Sequence, residues 1–109
     1  MAFKIQFTET AVKDLNALRA ADRAKVEDAI ETFLRYEPEK ISKSRIKRLR
    51  NLISPQYRLR VDDIRVFYDV ALKVDTKNGV VTILGIKKKS DVNDWLEESG
   101  VSDEASSTE

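Results

Sequence analysis

This chain of 109 residues contains no cysteine and no histidine. Without cysteine there is neither a disulfide framework nor a thiolate metal site, and nothing indicates an oxidising compartment, so the cytoplasm is the expected location. Without histidine the chain lacks the usual general base at neutral pH and the commonest metal ligand. We therefore expect no metal ion and no other cofactor.

Glycine is scarce, and long apolar runs near the N-terminus are missing. The three glycines are too far apart to form a phosphate-binding loop, so nucleotide hydrolysis is not indicated. Residues 1–7 alternate apolar and polar side chains, where a signal peptide would place a basic stretch before an apolar run. We expect neither a signal peptide nor a membrane span.

What the sequence does have is enough apolar residues for one hydrophobic core and an uneven distribution of charge. Residues 41–60 contain seven basic residues and no acidic one, whereas residues 90–109 contain seven acidic residues and no basic one. A basic segment of this kind is typical of a polyanion-binding surface, and a solvated charged surface is the alternative.

The spacing of apolar residues predicts an α+β fold: a small, twisted, antiparallel-rich sheet with an N-terminal helical hairpin on one face and a short C-terminal helix. Residues 3–7 alternate as a strand. Thr8 and Asp22 are candidate N-caps of two helices, the second ending before Pro38. A weaker strand is predicted over residues 47–52.

The clearest local pattern is a hairpin of two alternating runs over residues 57–72, joined by Asp62 and Asp63. Two adjacent aspartates could hold a magnesium ion, but they are far more often turn formers. A second turn is predicted at residues 76–79, a buried strand at 80–86, and a last helix capped by Ser90 and ended by Gly100. Residues 1–98 are then one domain, and residues 99–109 an acidic tail without fixed structure.

Three arginines of this hairpin are predicted to share one face. Arg58 and Arg60 are two residues apart on one strand, and Arg65 faces the same way after the turn. Guanidinium groups held together in this way repel each other, which favours an anionic partner. The alternative is that they pair with Asp69 or with the acidic tail. Lys87, Lys88 and Lys89 extend the patch, unless they are only a solvated strand end.

The run from Tyr57 to Tyr68, YRLRVDDIRVFY, follows a strand and two helices and resembles the RelE/ParE superfamily of toxins from prokaryotic toxin–antitoxin modules. The likeness extends from Phe3 to about Leu96. It implies a cognate antitoxin as a partner and, for a RelE-type member, ribosome-dependent cleavage of messenger RNA. Such metal-independent cleavage leaves a 2′,3′-cyclic phosphate.

The resemblance also implies roles for the basic residues. Arg60, Arg65 and either Lys87 or Lys89 match catalytic positions, and arginine is suited to stabilising the charge of the phosphorane. The expected RNA-binding residues are the other cations of the basic segment and the hairpin: Lys43, Arg45, Lys47, Arg48, Arg50, Arg58 and Lys88.

One position departs from the RelE pattern. Asn93 stands where RelE-type enzymes often have a tyrosine, and an amide cannot exchange a proton. A lysine among residues 87–89 could take over this task if its like-charged neighbours disfavour its protonated form. Two alternatives therefore stay open: a ParE-like, non-enzymatic inhibitor of DNA gyrase, and an inactive relative that retains only antitoxin binding.

Overall fold

A computed structural model describes residues 2–73 and 78–102 of the chain. A π-helical turn, Ile30–Leu34, extends α2, and a 3₁₀ turn, Lys89–Asp91, precedes α3. The elements in chain order are β1 (Lys4–Phe7), α1 (Glu9–Ala17), α2 (Ala20–Ala29), β2 (Ile46–Arg48), β3 (Leu52–Ser54), β4 (Tyr57–Val61), β5 (Ile64–Lys73), β6 (Asn78–Lys88), α3 (Val92–Ser99) and β7 (Val101–Ser102). The predicted α+β fold class is confirmed.

Five strands form the main sheet in the order β1-β6-β5-β4-β2. β1 runs parallel to β6, and the other neighbours are antiparallel. The predicted hairpin is β4–β5, whose register runs from Tyr57 opposite Tyr68 to Val61 opposite Ile64. Asp62 has a φ of 54°, in the left-handed region that aspartate tolerates better than most residues, so the two aspartates do form the turn.

The two N-terminal helices cover one face of the main sheet, and the hydrophobic core lies between these helices and that face. Leu59, Val66 and Tyr68 on the strands are fully buried against helical residues that include Val26 and Leu34. The alternation of the hairpin explains this, since every second side chain of a strand points to the same face. On the opposite face, α3 packs its Trp95 ring against Phe67, with ring centroids 4.9 Å apart.

The weak strand predicted over residues 47–52 is in fact two strands, β2 and β3. Asn51, with a φ of 62°, has a left-handed backbone that no extended strand adopts, and the chain leaves the main sheet there. β3 pairs instead with β7 in a separate two-stranded sheet. Val101 and Ser102 therefore differ from the prediction of a tail without structure, whereas residues 103–109 lie outside the described residues.

The helix ends differ in part from the predicted caps. Thr8 caps α1 as predicted, its hydroxyl accepting a hydrogen bond from Ala11 N at 3.1 Å. α2 begins three residues earlier than Asp22 would require, and Asp22 lies in its first turn. Ser90 lies in the 3₁₀ turn rather than at the start of α3. Gly100 does end α3: it is the C-cap, with an extended backbone whose N donates to Leu96 O at 2.8 Å.

Of the predicted turn at residues 76–79, residues 76 and 77 lie outside the described residues, and residues 78 and 79 begin β6. Among the helices of the described chain, none is long and apolar enough to cross a membrane.

Candidate functional site

The face of the sheet opposite the two N-terminal helices collects five cations from three antiparallel strand pairs. Residues directly opposite each other in such pairs share a face. Lys47 is opposite Arg58, Arg60 is opposite Arg65, and Arg65 is opposite Lys87. We call Lys47, Arg58, Arg60, Arg65 and Lys87 the basic face. The predicted common orientation of the three hairpin arginines is confirmed.

Arg65 is the most enclosed member of the basic face, with 6% of its surface exposed. Its Nη1 donates to Asp62 O at 2.8 Å and to Ile64 O at 3.1 Å, so the turn fixes one edge of the guanidinium. Burial lowers the pKa of Arg65, the charge of Arg60 lowers it further, and Asp63 acts in the opposite direction. The group remains a cation at neutral pH because arginine starts from so high a value.

Arg58 is half-buried, and one of its side-chain donors lacks a partner in the part of the chain that the structure describes. Burial lowers the pKa of Arg58, and the positive charges of Arg65 and Arg60 lower it further. Its Nε is buried without a hydrogen-bond acceptor among the described residues. A buried polar donor without a partner costs about 1–3 kcal/mol, so the position favours an added acceptor. Because three positive charges meet there, an anion is the acceptor that fits best.

Arg58 also lines an open groove of about 580 Å³ between α3 and strands β2 and β4. One part of its wall is cationic and the other apolar. The lining residues are Lys47, Arg48, Leu49, Arg50, Arg58, Phe67, Val92 and Leu96. Such a groove can bind the charged backbone and the apolar parts of one extended ligand together.

Arg60 and the predicted lysines occupy different environments. Arg60 is exposed, and its backbone N donates to Arg45 O at 2.9 Å. Lys87 Nζ is 3.1 Å from Asp14 Oδ1 and 5.8 Å from the centre of the Trp95 ring. Among the described residues, the charged group in contact with the Lys87 ammonium is therefore the Asp14 carboxylate and not another cation.

The other two lysines do not join the basic face. Lys88 is exposed and opposite Ile64, on the other side of the sheet from Lys87. Lys89 lies in the 3₁₀ turn, where its backbone N donates to Asp63 O at 2.7 Å. The basic patch therefore continues through Lys87 alone.

The basic segment before the hairpin divides between two sides of the molecule. Lys47, Arg48 and Arg50 line the groove. The Arg48 side chain is also held by the chain itself: its Nη1 donates to Leu49 O and Gln56 O, and its guanidinium lies 5.4 Å from the Tyr57 ring centre. Arg45 lies 5.0 Å from the centre of the Phe33 ring, and Lys43 is exposed in the preceding loop. Of the RNA-binding residues that the sequence predicts, the structure brings together Lys47, Arg48, Arg50 and Arg58.

Acidic residues do not neutralise the three arginines through direct ion pairs in the described part of the chain. Asp69 accepts from Ser54 Oγ at 2.5 Å and Gln56 N at 2.7 Å, so it fixes the segment before β4 instead. Asp62 pairs with Lys25 at 3.2 Å. Within residues 2–73 and 78–102, no three acidic side chains converge on a position that could hold a metal ion.

Asp14 and Gly85 both contact residues of the candidate site or of α3, and the sequence predicted no role for either. Asp14 carries no pattern in the sequence that distinguishes it from any polar residue of an amphipathic helix. Gly85 does carry one, because a glycine inside an apolar strand indicates a close approach by another group. That group is Trp95 of α3. Asn93, by contrast, is exposed near the start of the same helix.

Comparison with known proteins agrees with this fold. The sequence model of the ParE toxin of the type II toxin–antitoxin system, parDE, matches residues 5–93. No curated protein matches the sequence.

Three solved structures have a similar fold. In the RelBE2 toxin–antitoxin complex of Mycobacterium tuberculosis, the matching chain is 24% identical, with 81% of this chain and 99% of that chain covered and a TM-score of 0.64. In the RelE–RelB complex of Pyrococcus horikoshii OT3, the matching chain is 27% identical, with 82% of this chain and 97% of that chain covered and a TM-score of 0.60. A mutant of the Escherichia coli toxin RelE in the free state is 18% identical, with 91% and 95% covered and a TM-score of 0.51.

Proposed function

This chain belongs to the ParE toxin family of type II toxin–antitoxin systems. For the action of this toxin, we propose inhibition of translation by cleavage of messenger RNA on the ribosome. The observation that carries the proposal is Arg58 Nε, which is buried beside Arg60 and Arg65 and has no acceptor among the described residues. A phosphate oxygen of an RNA strand is the acceptor with the right charge and geometry.

The proposed reaction needs no metal ion. The RNA 2′-oxygen forms a bond to the adjacent phosphorus, the bond from phosphorus to the 5′-oxygen breaks, and the proton lost from the 2′-hydroxyl is balanced by one gained at the leaving oxygen. The products are a 2′,3′-cyclic phosphate and a free 5′-hydroxyl. Negative charge on the phosphorane is greatest after the bond to the 2′-oxygen has formed and before the bond to the 5′-oxygen has broken. Fixed cations nearby therefore stabilise the transition state.

The residues divide naturally between these tasks. Arg60 and Arg65 stabilise the phosphorane charge, since one is exposed to an incoming strand and the other is fixed by the turn. Lys87 supplies the further cation, because it is the predicted lysine that lies opposite Arg65 on the basic face. The groove residues Lys47, Arg50 and Arg58 bind the flanking phosphates.

We further propose that a cognate antitoxin covers the basic face with an acidic segment. The named complexes from M. tuberculosis and P. horikoshii each contain a toxin with its antitoxin, which supports a partner of this kind. Charge complementarity implies that added salt weakens the complex. An antitoxin complex whose dissociation constant did not change with salt would argue against this location.

Ribosome-dependent translation in vitro, followed by primer extension on the message, tests the cleavage proposal. Wild-type protein should produce discrete cuts that need ribosomes, and Arg60→Ala and Arg65→Ala should lose them. Arg60 is the sharper probe because it is exposed, whereas Arg65 also supports the turn. Arg19→Ala, which removes an 87% exposed arginine between α1 and α2, is the matched control and should cut normally.

A non-enzymatic inhibitor of DNA gyrase is the second candidate. It is favoured by the ParE description of the matching family and by Asn93, which stands where RelE-type enzymes often have a tyrosine. Intact message in the translation assay, together with inhibited supercoiling by purified gyrase, would replace the first proposal with this one.

A further inference from the structure

Strand β1 covers only the first part of the outer edge of β6, and Thr8 and α1 cover the rest. β1 pairs with β6 only as far as Phe7 opposite Ile83, although β6 continues to Lys88. Beyond that point Thr8 N donates to Ile83 O at 3.0 Å, and the Thr8 hydroxyl donates to Leu84 O at 3.2 Å. Asp14 Oδ2 then accepts from Ile86 N at 3.0 Å. The helix thus supplies the hydrogen bonds that a longer β1 would have made.

The second oxygen of Asp14 serves a different purpose. Oδ1 lies 3.1 Å from Lys87 Nζ, and both side chains are largely enclosed, with 17% of Asp14 and 22% of Lys87 exposed. Lys87 is directly opposite Arg65 in the register. One carboxylate therefore joins α1 both to the β6 backbone and to a cation of the basic face.

The backbone contact alone does not explain a charged side chain at this position. A neutral acceptor would satisfy Ile86 N equally well, and enclosing a carboxylate costs free energy that its ion pair only roughly offsets. What the negative charge adds is a fixed location for the Lys87 ammonium, which would otherwise be repelled by the neighbouring arginines. Among the ion pairs of the described residues, this is the one that reaches the basic face.

We infer that Asp14 is a positioning residue of the candidate site, acting through Lys87 to hold its ammonium beside Arg65 at the surface where RNA would bind. This inference rests on the proposed function and adds α1 to the site. Asp14 itself does not touch the substrate. Misplacing a catalytic group by about 1 Å can cost about 100-fold in rate, so a loss of about tenfold or more is expected when the carboxylate is removed.

A double-mutant cycle tests the inference. Asp14→Asn keeps an oxygen for Ile86 N but removes the charge. It should lower the ribosome-dependent cleavage rate at saturating ribosomes by about tenfold or more, with the half-saturating ribosome concentration little changed. In a Lys87→Gln background the same substitution should have almost no further effect on cleavage. Glu9→Gln removes an 86% exposed carboxylate from the same helix and is the control that should cut normally.

Two results would overturn the inference: wild-type cleavage in Asp14→Asn, or an equal loss in both backgrounds, which would show that Asp14 does not act through Lys87. If Asp14→Asn does not fold, Asp14→Glu replaces it, because a longer side chain displaces the ammonium without removing the charge. Its loss must likewise vanish in the Lys87→Gln background.

A failure of the inference about Asp14 can be distinguished from a failure of the cleavage proposal. If wild-type protein makes no ribosome-dependent cuts, the cleavage proposal has failed by itself. The cycle is then measured by growth arrest on induction in cells, which reports toxin activity against either target. Coupling between Asp14 and Lys87 in growth arrest would support their joint role, and its absence would reject it.

Discussion

The Trp95 ring lies directly over Gly85: a Cβ added to Gly85 would be 2.7 Å from Cζ2 of the indole. The same ring packs on Phe67 of the neighbouring strand, with centroids 4.9 Å apart. Phe67 and Gly85 are opposite each other in the register, so the Trp95 ring packs against the Phe67 ring and into the space left by the absent side chain of Gly85. This contact fixes the position of α3, which forms one wall of the groove.

Replacing Gly85 with alanine should therefore loosen α3. The added methyl group forces the indole out of this space, and overpacking of this kind costs about 1–3 kcal/mol in free energy of unfolding. Urea unfolding followed by the fluorescence of Trp95, the one tryptophan of the sequence, measures both the stability and the environment of the ring. In a Trp95→Leu background, where unfolding is followed by circular dichroism because the fluorescent ring is gone, the alanine should cost much less. An equal cost in both backgrounds would show that the added methyl group does not meet the indole.

Tyr68→Phe should destabilise the core without affecting the basic face. The Tyr68 hydroxyl donates to Pro38 O at 2.6 Å in a buried position, and its removal leaves that carbonyl without its donor. We expect a loss of about 1–3 kcal/mol in free energy of unfolding, measured by urea denaturation. RNA cleavage below the unfolding transition should be unchanged, because Tyr68 lies on the opposite side of the sheet. A selective loss of cleavage in a stably folded variant would contradict this location.

The same tyrosine predicts a fall in stability at alkaline pH. Burial raises the pKa of Tyr68 well above its usual value, with smaller contributions from Tyr57 and Glu39. The unfolded chain therefore ionises first, at about pH 10. Above that pH the unfolded state binds fewer protons than the folded state, so the free energy of unfolding falls as pH rises, by up to about 1.4 kcal/mol per unit from this group. Below that pH the contribution is constant. Tyr68→Phe, measured in parallel, should lack this part of the decline.

Arg58→Gln should separate stability from function. Burial lowers the pKa of Arg58, and the charges of Arg65 and Arg60 lower it further, so the folded state disfavours this cation and removing it relieves both penalties. The free energy of unfolding should not fall by more than about 0.5 kcal/mol. Binding of single-stranded RNA should nevertheless weaken, and the slope of log affinity against log salt should decrease by about 1. Fluorescence anisotropy over a salt series measures the slope. Arg19→Gln should leave it unchanged, and an unchanged slope in Arg58→Gln would place the RNA elsewhere.

Asp69→Ala should disturb the segment before β4 and leave the arginines as they are. Asp69 accepts from Ser54 Oγ and Gln56 N, and Gln56 Oε1 in turn accepts from Val70 N at 2.8 Å. Losing the carboxylate leaves two donors without their acceptor, at a cost of about 1–3 kcal/mol in thermal or urea unfolding. The salt slope of RNA binding should stay the same. A steeper slope would mean that Asp69 had been neutralising the basic face.

Local patterns in the sequence were sufficient for much of the fold. Alternation over residues 57–72 fixed the hairpin, its turn and the common face of Arg58, Arg60 and Arg65, because side-chain direction in a strand repeats every two residues. The Thr8 cap and the ending of α3 at Gly100 also followed from local chemistry. Residues 47–52 were misread because the left-handed conformation of Asn51 leaves no signature in apolar spacing.

The sequence by itself thus determined the family, the class of fold and which cations share the hairpin face. Only the tertiary structure decided the partners of those cations. Contacts such as Asp14 with Lys87, 73 residues apart in the chain, depend on where β1 ends and α1 begins against β6. No short-range pattern records such a contact, since it depends on how separate elements pack. For the same reason, only the packed chain shows that Arg65 is anchored by its own turn while Arg58 keeps a donor free for an anion.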